Sequence, residues 1–349
     1  LWEKGDKEIV ALWKKMNAWV YEGFEETYAK LGISFDRYYY ESDMYLFGKE
    51  IAREGLKKEI FFDKEGAIVA PLQDVGLPDK VLVRSDGTTI YMTQDLFLAQ
   101  KKFEEEKLER SLYVVASEQN LHFQQLFAIL KKLGYKWADS CYHLSYGMVN
   151  LPEGKMKSRE GTVVDADKII LELTTLAKEE IQKRHPEIEH IVLQNRSRQV
   201  CVAALKFHML RIDAAKDMIY NPKESISFEG ETGPYVQYTH ARISSILRKY
   251  GTLPEEISLV HLRDKERALA TMLEKFPAVI IEAGSHYKPS YICRYLLDLC
   301  QEFNSYYHDV PVLKAEENVK LARLYLLFCI KIVLQNGLGL LGIEAPEEM

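Results

Sequence analysis

The sequence predicts an α/β half followed by an all-α half, and three observations predict it. Between residues 93 and 151 helical and strand-like runs alternate, with polar loops after the strands. Residues 60–92 alternate apolar and polar side chains around Lys64-Glu65-Gly66 and again around Asp86-Gly87, in the manner of hairpins. From about residue 165 to the end the texture is helical, which predicts a bundle.

Each element follows from its pattern. Residues 6–30 place Ile9, Leu12, Trp13, Met16, Trp19, Val20 and Phe24 at three- and four-residue steps, the spacing of an amphipathic helix. "IFFDKEGAIVA" and "KVLVRSDGTTIYM" read as two strand–turn–strand segments. A helix is expected over 93–107, a buried-type strand at "SLYVVAS", a helix over 121–133 ended by Gly134, and a further strand in "CYHLSYGMVNL". Strand, helix, strand in that order is the rhythm of a parallel sheet, whose ligand sites lie at the carboxyl ends of the strands. Helical patterns then cover 166–184, 191–219, 234–250, 261–283, 289–307 and 315–336, separated by Asn221-Pro222, Gly251 with Pro254, and Pro311. There is no repeat period.

Composition bounds the class. With 349 residues, 47% of them hydrophobic, the chain can bury a large core in two or three units. A formal net charge of -6 neither demands nor excludes nucleic acid, so local patches decide. The five cysteines form no CxxC pair and sit in apolar stretches, as expected of reduced thiols in a cytoplasmic protein. Eighteen uninterrupted apolar residues occur nowhere, which argues against a membrane span. The opening "LWEKGDKEIV" has no apolar leader and no initiator Met, so the chain is expected to begin inside something larger.

Several residues can carry chemistry. "PEGKMKSREGTVV" (152–164) follows a strand-like run and sets Lys155, Lys157 and Arg159 between Gly154 and Gly161. Such a loop can be a solvated turn, or can give charge-assisted hydrogen bonds to phosphate. Tyr91 and Asp95 stand four apart around an expected helix start, with Thr93 as a candidate N-cap. Early helical geometry would put both on one side; Asp95 could equally serve only the helix dipole, with Tyr91 packed as a strand end. Gln119 and His122 follow the strand "SLYVVAS" at the position of a ligand site, and each could instead be a loop or capping residue. In the helical half, Arg196, Arg198, Lys206, Arg211 and Lys216 crowd 194–216, and Arg242, Arg248 and Lys249 follow. One cationic helix face suits phosphate contacts, or simply solvent. "GETGPYVQYTHAR" (230–242) breaks the chain at Gly233-Pro234 and then gathers Tyr235, Gln237, Tyr238, His240 and Arg242, a set able to stack on and hydrogen-bond unpaired bases.

Strand, "GKMKSREGT", then helix resembles the KMSKS-type loop of class I aminoacyl-tRNA synthetases. "YMTQDLFLA", "YVVASEQNLHFQQLFAILKKLGY", "EGETGPYVQYTHARISSILRK" and "NGLGLLGIEAPEEM" narrow the resemblance to arginyl-tRNA synthetases, in order and over essentially the whole chain. The glutaminyl and cysteinyl enzymes share the loop; "GPYVQYTHAR" and "LGIEAPE" favour the arginyl family. Ser158 stands where the family pattern has a second lysine, and His-x-Gly-His is absent among the nine histidines. The resemblance therefore implies a C-terminal portion: the second half of a Rossmann-like nucleotide-binding domain over 1–165, a helical connector over 166–228 and a helical anticodon-binding domain over 229–349. It implies Lys155 and Lys157 as catalytic, with His122, Met156, Ser158 and Arg159 at ATP. Tyr91, Asp95 and Gln119 would hold arginine; Tyr235, Gln237, Tyr238, Arg242 and Met349 would hold tRNA. Glu41 and Ser42 match a family segment and are read as structural. ATP with Mg²⁺, L-arginine and tRNA are the implied partners, with no metal site of the protein's own, no membrane, and a monomer when full length. The portion alone is expected to be inactive. Competing readings are a tRNA-binding module without catalysis and a nucleotidyl transferase of another kind.

Overall fold

The computed structural model describes residues 1–2, 5–44, 47–150, 165–254 and 256–349. The chain divides into two compact units, Phe35–Met148 with Ala215–Asp217 and Leu1–Ser34 with Val149–Ala214 and Met218–Met349.

Helix α1 (Lys7–Leu31) begins where Asp6 Oδ1 accepts the N–H groups of Glu8 and Ile9, and ends at Gly32, whose φ of 63° is left-handed. The expected apolar stripe is present, but the helix buries no residue: Leu12, Met16, Trp19, Val20 and Phe24 are all exposed. Its anchored end is C-terminal, where Thr27 Oγ1 and Lys30 Nζ donate to Asp167 at 3.0 and 2.7 Å.

In the Phe35–Met148 unit, α2 (Phe47–Lys57) precedes an antiparallel sheet of β1 (Phe62–Lys64), β2 (Ala67–Ala70) and β3 (Lys80–Val83), in that order. Glu65 and Gly66, with φ of 53° and 86°, make the β1–β2 turn, where two left-handed residues match the strand twist. The second alternating run differs from expectation. It gives one strand, β3, which pairs back to β2, and an isolated bridge from Val83 to Thr89. Helix α3 (Tyr91–Glu106) claims the remainder of that run. Then follow β4 (Ser111–Ala116), α4 (Asn120–Lys132) and β5 (Cys141–Tyr146). β4 and β5 are parallel, in register from Ser111↔Cys141 to Ala116↔Tyr146, so α4 is the crossover. Tyr113, Val115 and Cys141 pack against a core that includes Leu96, Phe123, Leu126, Ile129 and Leu130. Leu112, Val114, Tyr142 and Tyr146 point the other way and are exposed, unlike the two-sided burial usual for parallel strands.

The other unit resumes with β6 (Val149–Asn150), then α5 (Ala166–Arg184) and α6 (His190–Leu210). The helix expected to run through 219 stops at Leu210, because β7 (Met218–Ile219) pairs in parallel with β6, a long-range contact that outweighs local periodicity. After α7 (Pro222–Ser225) come α8 (Gly233–Tyr250), α9 (Asp264–His286), α10 (Pro289–Asp309) and α11 (Glu317–Leu340). Phe207, Val236, Ile243, Leu269, Leu296, Phe303, Leu327, Ile330 and Leu334 form their shared core. α11 is apolar and long enough to cross a membrane, with a window of hydropathy 1.4, and half of that window is buried inside the bundle.

Gly233 opens α8 where it meets α6. A Cβ there would stand 2.3 Å from the Ala203 carbonyl oxygen and 2.9 Å from Phe207 Cβ. Gly233→Ala is therefore expected to lower stability by about 1–3 kcal/mol, read as a lower urea midpoint, because backbone rather than a flexible side chain must move. An unchanged midpoint would show that the crossing yields.

Candidate functional site

Two places gather the polar side chains singled out in the sequence. The first lies at the carboxyl end of β4, where parallel sheets place their ligand sites. Here α3 begins at Tyr91 itself. Thr93 is not its N-cap; it is fully buried in the first turn, with Oγ1 donating to the Ile90 carbonyl at 2.7 Å. The early start puts Tyr91 and Asp95 one turn apart on the same side. Tyr91 is 71% exposed, so its ring is not packed away as the end of a strand. Gln119 ends the short 3-10 turn Ser117–Gln119 directly after β4 and is exposed, and His122 lies in the first turn of α4.

The structure ties two of these together. His122 Nε2 lies 2.6 Å from Asp95 Oδ2; a carboxylate only accepts, so Nε2 carries the hydrogen. Beneath them the His122 ring meets Phe123 edge-on at 5.4 Å, and Phe123 lies 4.4 Å from the His143 ring. His143 in turn donates Nε2–H to the Val115 carbonyl at 2.9 Å. Asn120 Oδ1 accepts the Ser145 hydroxyl at 2.8 Å across the strand ends. Glu41 and Ser42 form a 3-10 turn, Glu41–Asp43, in which Ser42 Oγ donates to Asp43. Lys155, Met156, Lys157, Ser158 and Arg159 lie outside the described residues. Among the described residues, no group of His, Cys, Asp and Glu is arranged to hold a metal ion.

The second place is a groove of about 790 Å³ in the helical unit, lined by Tyr238, Arg242, Arg248 and Lys249 from α8, Arg196 from α6, Tyr307 and His308 from α10, and Met349. Arg242 lies over the Tyr238 ring at 4.8 Å and donates Nη1–H to Asn304 Oδ1 at 2.8 Å, a neutral partner that leaves its charge uncancelled. The last residues form one wall. Glu348 bridges Arg196 and Arg248, Glu347 pairs with Lys331, and the Met349 carbonyl lies 3.1 Å from His185 Nε2. Burial pulls His240 below its ordinary pKa, so the neutral ring gives Nδ1–H to the Pro346 carbonyl at 2.8 Å.

Not every residue expected at tRNA reaches this groove. Gln237 is fully buried, with Nε2 donating to the Glu344 carbonyl at 2.8 Å and the Gln199 carbonyl at 3.3 Å. It holds the terminal segment rather than facing a ligand. Tyr235 packs against the bundle core and accepts from Asn304 Nδ2 at 3.0 Å, so it lies behind Arg242. The helix turns 100° per residue, so 237 points about 100° away from 238, whereas 235 and 238 are only about 60° apart and Tyr235 is kept from the groove by its packing. Asn304, Tyr307 and His308 were not found by sequence reasoning; their signal is a polar edge at three- and four-residue spacing along an amphipathic helix.

Comparison with known proteins agrees with this layout. Residues 1–221 match the family described as tRNA synthetases class I (R), catalytic domain, and residues 236–349 match the DALR anticodon binding domain. The chain is 49% identical to the arginine–tRNA ligase of Bacteroides fragilis and 48% to that of Bacteroides thetaiotaomicron, in each case over all of this chain and 60% of the relative. It thus spans about three-fifths of the length of these relatives. Among solved structures, the Thermus thermophilus arginyl-tRNA synthetase superposes with a TM-score of 0.85 at 31% identity, over 93% of this chain and 62% of that one. A Mycobacterium tuberculosis methionyl-tRNA synthetase, at 13% identity and a TM-score of 0.63 over 90% of this chain and 76% of its own, shares the fold. With a catalytic-domain match over more than half its length and an anticodon-domain match over residues 236–349, the chain belongs to the arginyl-tRNA synthetase family.

Proposed function

We propose that this chain supplies the arginine-selecting and tRNA-holding parts of an enzyme that adenylates arginine with ATP and transfers it to the terminal ribose of its tRNA. Tyr91 and Asp95 meet the guanidinium, and Gln119 the amino-acid end. Phosphate contacts from Lys155, Lys157 and Arg159, with Met156 and Ser158 beside them, rest on the sequence alone. The arginine carboxylate attacks the α-phosphorus of ATP and the α–β phosphoanhydride bond breaks, releasing pyrophosphate, with Mg²⁺ entering with the nucleotide. Such a step needs positioning and charge stabilisation rather than covalent help.

The groove carries the tRNA half of this reading. Tyr238 offers a face for a base, Arg242 a fork over that ring, and Met349 an apolar floor, with Arg196, Arg248 and Lys249 around them. If three or four phosphates are contacted, affinity for tRNA falls about 20- to 50-fold between roughly 50 and 200 mM salt. Arg242→Ala should weaken binding about tenfold, whereas Gln237→Asn should act through stability instead. Filter binding across a salt series checks both. A flat series removes the phosphate contacts.

A tRNA-binding module without catalysis is the second reading for the chain by itself, because every residue lining the groove belongs to one unit.

A further inference from the structure

We propose that His122 serves amino-acid selection rather than the nucleotide: its Nε2–H, 2.6 Å from Asp95 Oδ2, fixes the rotation of the carboxylate that meets arginine, which makes His122 a positioning residue. The inference rests on the reading of Asp95 given above. An aspartate on a helix surface has a broad, two-fold preference about its last torsion, so a carboxylate left to itself samples many orientations. The planar guanidinium fork rewards only those in which the two oxygens lie in its own plane. His122 removes that freedom at one oxygen, and a carboxylate with about four lone-pair sites still has capacity for a substrate.

The histidine is itself held. Its side chain is 17% exposed, against 34% for Asp95, so it is the more buried partner and the better anchor. It leans edge-on against Phe123, which is buried in the core under β4 and β5, and Phe123 lies against His143, itself tied to the Val115 carbonyl. Position passes from the sheet to Phe123, to His122, to the carboxylate: a supporting layer of the kind that makes a recognition site exact in its angles. With Nε2–H committed to Asp95, only the other ring nitrogen is left for any nucleotide contact.

Two measurements test this. In the 349-residue chain with ¹⁵N-labelled histidine, His122 should give a downfield, slowly exchanging imidazole N–H resonance that vanishes in Asp95→Ala; a resonance that survives that substitution overturns the pairing. In the full-length protein, arginine-dependent ATP–pyrophosphate exchange separates the roles. His122→Ala should raise the KM for arginine about tenfold, the size of one charge-assisted hydrogen bond, with the KM for ATP within about twofold of the parent. His122→Gln, whose amide can donate to the same oxygen, should recover most of the loss, which a merely structural role would not produce. A raised KM for ATP with arginine unaffected, or a fall in kcat alone, overturns the proposal. Absence of exchange in the unsubstituted full-length protein overturns the functional reading beneath it.

Discussion

In the full-length protein, Asp95→Ala is expected to raise the arginine concentration for half-maximal ATP–pyrophosphate exchange about a hundredfold, roughly 2.7 kcal/mol, while the ATP requirement stays put. The size follows from what is left behind. A guanidinium brought out of water to a site without its carboxylate loses a charge-assisted pair and keeps its desolvation cost. Asp95→Asn, which keeps the shape and one acceptor oxygen but not the charge, should fall between the two. Tyr91→Phe should cost less, because Tyr91 is mostly exposed and offers one hydroxyl. The outcome against this assignment is an Asp95→Ala protein with the parent's arginine requirement; Asp95 would then be no more than the partner of His122 on the surface of α3.

The second large effect is on stability, at the buried pair Arg323–Glu266 of the helical unit. Arg323 Nε donates to Glu266 Oε1 at 2.8 Å, with side-chain exposures of 11% and 2%. The Tyr306 hydroxyl donates to the same oxygen at 3.2 Å, the Arg263 N–H to Oε2 at 3.2 Å, and Arg323 Nη1 to the Pro311 carbonyl at 3.3 Å. Arg323→Ala should cost about 3–5 kcal/mol, because it strands a carboxylate where water does not reach. Replacing both, Arg323→Met with Glu266→Leu, should cost less than Arg323→Ala alone, and urea unfolding of the set measures the difference. Burial by itself pushes the Glu266 carboxyl up, but backbone N–H groups of its own helix turn and the Arg323 guanidinium outweigh burial and hold it below the usual range. The folded form therefore releases that proton at lower pH than the unfolded form. The pair's contribution is complete above the unfolded carboxylate's value of about 4.3 and fades as pH falls through the depressed folded value. The Arg323→Ala chain should lose this acid limb of the stability profile.

Much of this was legible because it is local. Asp6 and Gly32 mark the ends of α1, Glu65-Gly66 marks a turn, and the periods of 3.6 and 2 give the helices and β4. The strand–helix–strand order placed Gln119 and His122 at one sheet end before any coordinates, and the structure adds Asp95 beside them. What stayed hidden depends on partners distant in sequence. β7 exists because Val149–Asn150 lies beside it, and no pattern within 211–219 announces that. The turn at Asp86-Gly87 was visible, but that β3 returns to β2 was not, since alternation specifies a face and leaves the neighbour open. In α8 the residues were found and their directions were not: Gln237 turns inward to hold Glu344, more than a hundred residues on. Lys155 and the residues around it remain known from the sequence alone.

The arrangement of the two units sets a schedule for synthesis. Helix α1 belongs with α5, and its contact from Thr27 to Asp167 spans 140 positions of chain, with the whole Phe35–Met148 unit made in between. At the elongation rates of about 5–20 residues per second, roughly 7 to 28 seconds separate the emergence of α1 from that of its anchor. For that interval the C-terminal end of α1 lacks the carboxylate that anchors it, while Leu12, Met16, Trp19, Val20 and Phe24 stay exposed both before and after Asp167 arrives. Residues Phe35–Met148 are complete before then, and α1 gains its anchor only when residue 167 arrives.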